Sequence, residues 1–315
     1  MRLVAKTLKV VALVLLALLV LSAVFFGYTD KPVAELKEKY APAPSAFLQV
    51  DGMDVHYRDE GNKEDSLPLV LIHGTGSSLH TFDAWTAVLK KEKRVIRMDL
   101  PAFGLTGPFP NRLYSMDHYV AFIYQFLATM GIAHCVIGGN SLGGDIAWNF
   151  TVQHPQMVQK LILIDAAGYP LQSQSVPIGF KLARIPVLNK MMTFITPKWM
   201  VAASLKNVYA DPSKVNDALV NRFFELTLRE GNRQALIDRM NLAQDTSKLV
   251  LIKNIQQPTL ILWGEQDLLI PVQYAYRFQN NLPNDTLVVL KNAGHVPMEE
   301  SPQESVVPLL HFLRK

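Results

Sequence analysis

The chain has 315 residues, of which 49% are hydrophobic and 18% are charged, which suits one or two globular domains and excludes disordered and collagen-like proteins. Three of its 31 basic residues, Arg2, Lys6 and Lys9, precede the first acidic residue, Asp30, and without them the formal net charge of +4 falls to +1. Because a nearly neutral body lacks the basic surface that binds nucleic acid, we expect no nucleic-acid partner.

The first predicted element is an uncharged apolar segment from Val10 to Thr29. Twenty helical residues rise about 30 Å, the thickness of a bilayer's hydrocarbon core. The basic residues lie on its N-terminal side, so the pattern predicts a single-pass membrane anchor over residues 1–30. The N-terminus would be cytoplasmic and the body periplasmic or extracellular. The alternative is a signal peptide that is cleaved to release a secreted body.

Residues 31–46 are predicted to form a linker, because a short charged stretch is followed by the stiff sequence Ala41-Pro42-Ala43-Pro44.

The body is expected to begin at Phe47. Its segment Val55-His56-Tyr57-Arg58 alternates apolar and polar residues, which favours a half-exposed antiparallel strand. Short apolar runs follow at residues 69–72, 95–96, 135–137, 161–164, 260–262 and 287–290, with helical periodicity at 116–130 and 142–154. This alternation predicts an α/β fold with a mostly parallel sheet between helices.

One stretch interrupts the alternation. Residues 169–253 contain no strand-like run, and helical pieces are separated by Pro177, Pro186, Pro197 and Pro212. We interpret this stretch as a helical cap, inserted into a core formed by residues 47–168 and 254–315.

The motif His73-Gly74-Thr75-Gly76 directly follows the apolar run at 69–72. Glycines allow the backbone to turn so that an N–H group points at a developing oxyanion. We assign this role to the Thr75 amide, with Gly76 as the competing donor and the Leu142 amide as its partner. His73 is expected to support the loop by hydrogen bonding.

The sharpest motif is Gly139-Asn140-Ser141-Leu142-Gly143-Gly144, between the apolar run at 135–137 and a helical segment. A serine nucleophile on a strained strand-to-helix turn requires glycine two residues before and after it. The helix N-terminus also points its unpaired N–H groups at the site where negative charge develops. The spacing therefore predicts that Ser141 is a nucleophile.

Two later motifs supply an acid and a histidine. The run at 260–262 continues into Trp263-Gly264-Glu265-Gln266-Asp267, and the sequence Asn292-Ala293-Gly294-His295 follows the run at 287–290. The chain order Ser141, Asp267, His295 differs from the orders of the chymotrypsin and subtilisin triads. Asp165, at the end of the run 161–164, is the rival candidate for the acid.

These motifs, in this order, resemble the serine-nucleophile branch of the α/β-hydrolase superfamily from about Phe47 to Phe312. The segment from Asp99 to Gly104 is similar to the family's loop after its fourth strand. The motifs around Ser141, Asp267 and His295 are similar to those of bacterial membrane-associated esterases and lipases. The resemblance implies an α/β-hydrolase fold with a helical cap.

The resemblance also implies a mechanism. Ser141 would attack an acyl carbonyl while His295 takes its proton, Asp267 would orient the ring, and the Thr75 and Leu142 amides would bind the oxyanion. No cofactor or metal is expected, since no ligand-spaced cluster is visible in the sequence. Large apolar side chains in the cap favour a small-molecule ester with an apolar portion as the substrate.

Other functions stay open at this point. A carbon–carbon bond hydrolase of the meta-cleavage type uses the same triad, although members of that branch typically carry tryptophan where Val296 follows His295. Thioesterase, amidase or acyltransferase chemistry could share the acyl-enzyme. A binding protein on a hydrolase fold is the alternative from another class, but no member of the predicted site is missing. A serine at position 141 excludes the aspartate-nucleophile dehalogenases and epoxide hydrolases.

Overall fold

An eight-stranded sheet organises the part of the chain that is described by the computed structural model. The model describes residues 2–315, and the side chains of all of these except residues 2, 3, 5, 15, 16, 18 and 19. The strand order across the sheet is β1-β2-β4-β3-β5-β6-β7-β8. The strands are β1 Ser45–Val50, β2 Met53–Glu60, β3 Leu69–Ile72, β4 Val95–Met98, β5 Cys135–Asn140, β6 Val158–Ile164, β7 Thr259–Gly264 and β8 Asp285–Leu290.

The sheet is parallel except at one edge. The pairs β1–β2 and β2–β4 are antiparallel, and all pairs from β4 through β3, β5, β6 and β7 to β8 are parallel. Every side chain of β3, β4 and β7 is buried, because helices cover both faces of the sheet. This confirms the predicted parallel strands. The antiparallel β2 is also confirmed, but its polar residues His56 and Arg58 are buried rather than exposed.

Helices cover both faces of the sheet. Phe122, Phe126 and Ile146 pack in one apolar cluster, and Trp85 and Leu309 pack in the cluster on the other face. The helices are α1 Arg2–Phe26, α2 Val33–Tyr40, α3 Asp83–Leu89, α4 Met116–Thr129, α5 Leu142–Gln153, α6 Ile178–Ala183, α7 Leu188–Met191, α8 Lys198–Val208, α9 Asp217–Thr227, α10 Asn232–Met240, α11 Gln273–Asn281, α12 Pro297–Glu300 and α13 Pro302–Arg314.

The transmembrane anchor predicted over residues 1–30 is not supported. The apolar segment is helical as part of α1, which ends at Phe26 rather than continuing to Thr29. Among the residues described, no helix combines the length and the apolar character that crossing a bilayer requires. After α1 the chain joins the cap, where the Tyr28 amide donates to the Phe194 carbonyl at 2.9 Å. The predicted position of the body across a membrane stays a prediction.

Residues 31–46, predicted as a linker, contain helix α2 and the start of β1. Leu36 and Tyr40 on α2 are buried against Leu105 and Leu226. The Tyr40 hydroxyl donates to Glu225 at 2.8 Å, which ties α2 to the cap. The apolar residues of α2 recur with helical spacing, but eight residues among charged neighbours give too short a pattern to predict a packed helix.

The stretch predicted as a cap, residues 169–253, contains none of the eight described strands, and its bounds as a separate unit stay a prediction. Helices α6 to α10 occupy this stretch, with 3-10 turns at Pro212–Lys214 and Leu249–Asn254. Pro177 and Pro197 directly precede α6 and α8. Proline is well tolerated there, because the first N–H groups of a helix have no intrahelical partner.

We predict that Leu36→Ala lowers the free energy of unfolding by about 2–3 kcal/mol, because it leaves a cavity in an apolar cluster. Urea unfolding followed by circular dichroism measures the loss. Glu38→Ala, at an exposed position of the same helix, is the control. Equal midpoints for the two variants would mean that α2 does not contribute to the folded body.

Candidate active site

Ser141 lies on a sharp turn between β5 and α5. Its backbone has φ 56° and ψ −118°, a strained conformation for a residue with a side chain. A Cβ on Gly139 would lie 2.2 Å from the carbonyl carbon of Gly143, and a Cβ on Gly143 would lie 2.1 Å from the Ile72 carbonyl oxygen. Both positions therefore require glycine, which is the steric reason for the motif's spacing.

The loop after β3 lies against this turn. A Cβ on Gly74 would be 3.0 Å from the Cβ of Ser141, so the loop backbone is in direct contact with the serine. The Thr75 and Leu142 amides donate no hydrogen bond to any residue described here, which leaves both free for an oxyanion. The Gly76 amide is equally free, so the choice between Thr75 and Gly76 stays open.

His73 supports the loop, as expected. Its Nδ1–H donates to the Gly74 carbonyl at 2.8 Å, and its Nε2 accepts from the Leu100 amide at 2.9 Å. Burial lowers the pKa of His73, which favours the neutral ring that these two bonds require. The imidazole therefore links the loop after β3 to the loop after β4.

Asp267 and His295 form a buried pair at the ends of β7 and β8. The Nδ1–H of His295 donates to Oδ2 of Asp267 at 2.7 Å. The other carboxylate oxygen, Oδ1, accepts from the amides of Leu269 at 2.8 Å and Ile270 at 3.0 Å. These three hydrogen bonds fix the position of the carboxylate. The pair thereby fixes the His295 ring with Nε2 available for proton transfer.

Ser141 and His295 line the same cleft. Across the described residues, no hydrogen bond joins the Ser141 hydroxyl to the His295 ring. Such contacts are often long in structures without substrate, and they tighten in the reacting complex. The structure thus places the serine and the Asp267–His295 pair around one space.

Asp165, the rival acid, is fully buried at the end of β6, and its Oδ1 accepts from the Gly264 amide at 2.8 Å. Burial and the neighbouring Asp267 charge raise the pKa of Asp165 well above its usual value. Asp165 therefore keeps a proton in a pH range where an ordinary aspartate is ionised. Of the two acids, the one that hydrogen-bonds His295 is Asp267.

The ligand-type atoms of Asp165, Asp267 and His295 lie within 4.8 Å of one another, the only such group in the part of the chain described. A metal ion there would have to replace the hydrogen bond between Nδ1 of His295 and Oδ2 of Asp267. This donor set fits the orientation of an imidazole better than metal coordination.

Two residues that the sequence analysis missed hold the histidine loop. The Asn140 side chain donates to the carbonyls of His295 at 2.9 Å and Ile164 at 3.2 Å. Glu300 is buried and accepts from the Gly294 amide at 2.8 Å and from the Asp211 amide at 2.7 Å. Asn140 lies beside Ser141 and Glu300 lies five residues after His295, but neither spacing alone reveals these long-range contacts.

The cleft above Ser141 is mostly apolar. It encloses about 1050 Å³, counted out to its open mouth. Its two charged lining residues are both neutralised: Arg233 pairs with Asp30 at 2.6 Å, and Glu299 pairs with Arg222. The apolar part of the wall comes mainly from the cap, with Phe180, Met192, Met200, Val201, Leu205, Val208, Phe223 and Leu236.

A family model described as the alpha/beta hydrolase fold matches residues 68–302. The chain belongs to this family. Its fold and hydrolase relatives identify it as an α/β hydrolase.

The relatives of this α/β hydrolase differ in their reactions. The 2-hydroxy-6-oxo-6-(2'-aminophenyl)hexa-2,4-dienoic acid hydrolase of Metapseudomonas resinovorans is 27% identical and covers 85% of this chain and 90% of its own. Lipase 3 of a Moraxella species is 28% identical, over 76% of this chain and 74% of its own. The structure of a meta-cleavage product hydrolase from Pseudomonas fluorescens has a TM-score of 0.73 at 23% identity, and covers 85% of this chain and 97% of its own.

We predict that Asp267→Asn slows phosphonylation of Ser141 by a fluorophosphonate about 10³-fold or more, because the amide no longer holds the required His295 tautomer. Asp165→Asn should stay within about threefold of wild type, since it keeps a neutral acceptor for the Gly264 amide. Intact-mass spectrometry measures both rates without assuming any substrate. The reverse order would assign the acid to Asp165.

The raised pKa of Asp165 also predicts a pH effect on stability. The folded state holds this proton above the unfolded-state value of 3.8, so this group's contribution to stability falls as the pH rises toward the folded-state pKa. Asp165→Asn should therefore lose less thermal stability than wild type between pH 4 and pH 8. Parallel melting curves over that range would contradict a protonated Asp165.

Proposed function

We propose that the chain is a carboxylic ester hydrolase that acts on an apolar substrate through an acyl-enzyme on Ser141, His295 and Asp267. The observation that carries the proposal is the oriented Asp267–His295 pair, which shares one cleft with the strained Ser141 turn. The Thr75 and Leu142 amides supply the proposed oxyanion donors beside it.

In this mechanism the Ser141 hydroxyl attacks the ester carbonyl while His295 Nε2 accepts its proton. The developing oxyanion binds the two amides, each worth about 3 kcal/mol of transition-state stabilisation. His295 then donates the proton to the leaving alcohol, and water releases the acid from the acyl-enzyme by the same steps. Asp267 holds the ring in place and stabilises the imidazolium that forms.

The lining of the cleft supports a neutral, apolar substrate. The guanidinium of Arg233 is bound to Asp30 and to the Tyr28 carbonyl, so it is not a free cation that could pair with an anionic substrate. Burying an unpaired carboxylate in this cleft would carry a large desolvation cost.

The absence of an unpaired cation among the described residues that line the cleft also favours ester hydrolysis over carbon–carbon bond hydrolysis. The relative from Metapseudomonas resinovorans is named for a dienoic acid, whose carboxylate requires a compensating charge. In this chain both charged residues of the cleft already have opposite charges beside them. The cleft therefore favours the ester reaction over hydrolysis of such an acid.

We predict that the full chain hydrolyses p-nitrophenyl butyrate, and that Ser141→Ala lowers kcat/KM by about a thousandfold or more, because the nucleophile is lost. Spectrophotometric release of p-nitrophenol measures the rate. Ser66→Ala, at an exposed position before β3, is the matched serine control.

A p-nitrophenyl ester of succinic acid, similar in size but negatively charged, should react at least about tenfold more slowly than the butyrate, since burial of its charge is uncompensated. A series from acetate to palmitate then defines the length that the cleft accepts. Faster turnover of a 2-hydroxy-6-oxohexa-2,4-dienoic acid than of every ester would overturn the proposal in favour of carbon–carbon bond hydrolysis.

A further inference from the structure

All the charged residues in the first half of the cap are basic. Residues 166–210 contain five basic residues and no acidic residue. None of the five forms an ion pair with any of the residues described, although ion pairs are frequent elsewhere in the chain. The basic residues are Lys181, Arg184, Lys190, Lys198 and Lys206. These cations are therefore available to an external anionic partner.

The same stretch exposes large apolar side chains. Phe194 is 72% exposed and Trp199 is 58% exposed, which is unusual for aromatic residues of a folded protein. Ile178, Ile185, Val187 and Leu188 are also exposed. A surface that combines apolar groups with unpaired charge of one sign indicates an interaction site.

On two cap helices, exposed side chains lie on the side that faces away from the cleft. On α8, Met200, Ser204 and Leu205 line the cleft, whereas Trp199 and Lys206 are exposed on the other side of the helix. Helix α6 packs against α8 and repeats this division, with Phe180 in the cleft and Lys181 exposed. We call the following exposed residues of this stretch, none of which lines the cleft, the outer cap surface: Ile178, Lys181, Arg184, Ile185, Val187, Leu188, Lys190, Phe194, Trp199 and Lys206.

We propose that the outer cap surface docks the protein on an anionic lipid surface. Tryptophan and phenylalanine partition into the boundary between headgroups and acyl chains, and lysine and arginine beside them pair with anionic headgroups. A second copy of the chain fits less well, because two such basic surfaces would repel each other. Nucleic acid would leave the aliphatic side chains without an apolar partner.

Docking in this way would place lipid next to the cap helices that form the wall of the cleft. An apolar ester could then pass from the lipid to Ser141 without crossing bulk water. This consequence rests on the proposed ester hydrolysis, whereas binding to lipid does not. A binding measurement therefore tests the surface even if the proposed reaction is wrong.

The first test measures how the full chain co-sediments with vesicles of equal parts phosphatidylglycerol and phosphatidylcholine. Lys181→Gln with Arg184→Gln should weaken binding about thirtyfold, at about 1 kcal/mol for each basic residue near an anionic surface. The matched control is Lys91→Gln with Lys253→Gln, two exposed lysines that precede β4 and β7 at the opposite end of the strands. Both variants keep α1, so any lipid affinity of that helix cancels in the comparison.

The second test uses the four tryptophans of the chain. Trp85, Trp148 and Trp263 are buried, so a fluorescence change on lipid binding would report chiefly on Trp199. Vesicles with brominated phosphatidylglycerol should quench wild-type fluorescence, and Trp199→Phe should abolish most of that quenching. A soluble short ester, where it is turned over, should react equally with all these variants, because none of the substituted residues lines the cleft.

Three results would overturn the proposal. The first is equal binding of the cap variant and the control variant to the vesicles. The second is quenching by brominated lipid that persists in Trp199→Phe. The third is a lipid-free protein that self-associates and shields Trp199 from acrylamide, which would assign the outer cap surface to a second copy of the chain.

Discussion

The Ser141 turn exists because Gly139 and Gly143 let β5, α5 and the end of β3 approach one another to distances that any side chain would prevent. This close approach gives Ser141 its positive φ and places the N-terminus of α5 behind it. The loop after β3 comes so near that a Cβ on Gly74 would lie 3.0 Å from the Cβ of Ser141, and this approach also brings the Thr75 amide beside the serine. One steric condition therefore places both the proposed nucleophile and its proposed oxyanion donors.

Buried charge imposes a second condition on the site. Two carboxyl groups lie beside one histidine, and both could not ionise there without strong repulsion. The two carboxyl groups have different surroundings: Asp267 accepts hydrogen bonds from two amides and the His295 ring, whereas burial and the Asp267 charge raise the pKa of Asp165. Asp165 directly follows β6 and Asp267 lies three residues after β7, so both acids are near the carboxyl ends of neighbouring strands and strand position alone does not distinguish them. The number of donors that each carboxyl receives does distinguish them.

The sequence predicted those features that depend on local rules. Uninterrupted apolar runs indicate strands covered on both faces, and Gly139 before Ser141 avoids a clash with Gly143, which lies only four residues further along the chain. Contacts between distant segments leave no such pattern. Asn140 reaches the His295 carbonyl across 155 positions, and Glu300 holds a cap loop through Asp211. Helix α2 was missed for the same reason, because Leu36 is buried by residues far along the chain.

For the apolar N-terminal segment, hydropathy alone predicted a membrane crossing that the described structure does not support.

The cap illustrates a further limit of periodicity. A surface helix of a globular protein usually presents one apolar face and one polar face. Helix α8 carries apolar residues on both: Met200 and Leu205 face the cleft, while Trp199 is exposed. A hydrophobic pattern that covers both faces cannot tell a cleft wall from an outer surface. Charge provides the distinction, because none of the basic residues in the stretch 169–210 lines the cleft. The cleft can thus remain free of unpaired charge while the surface above it is cationic. A neutral apolar ester and an anionic lipid surface are the partners that we propose for these two environments.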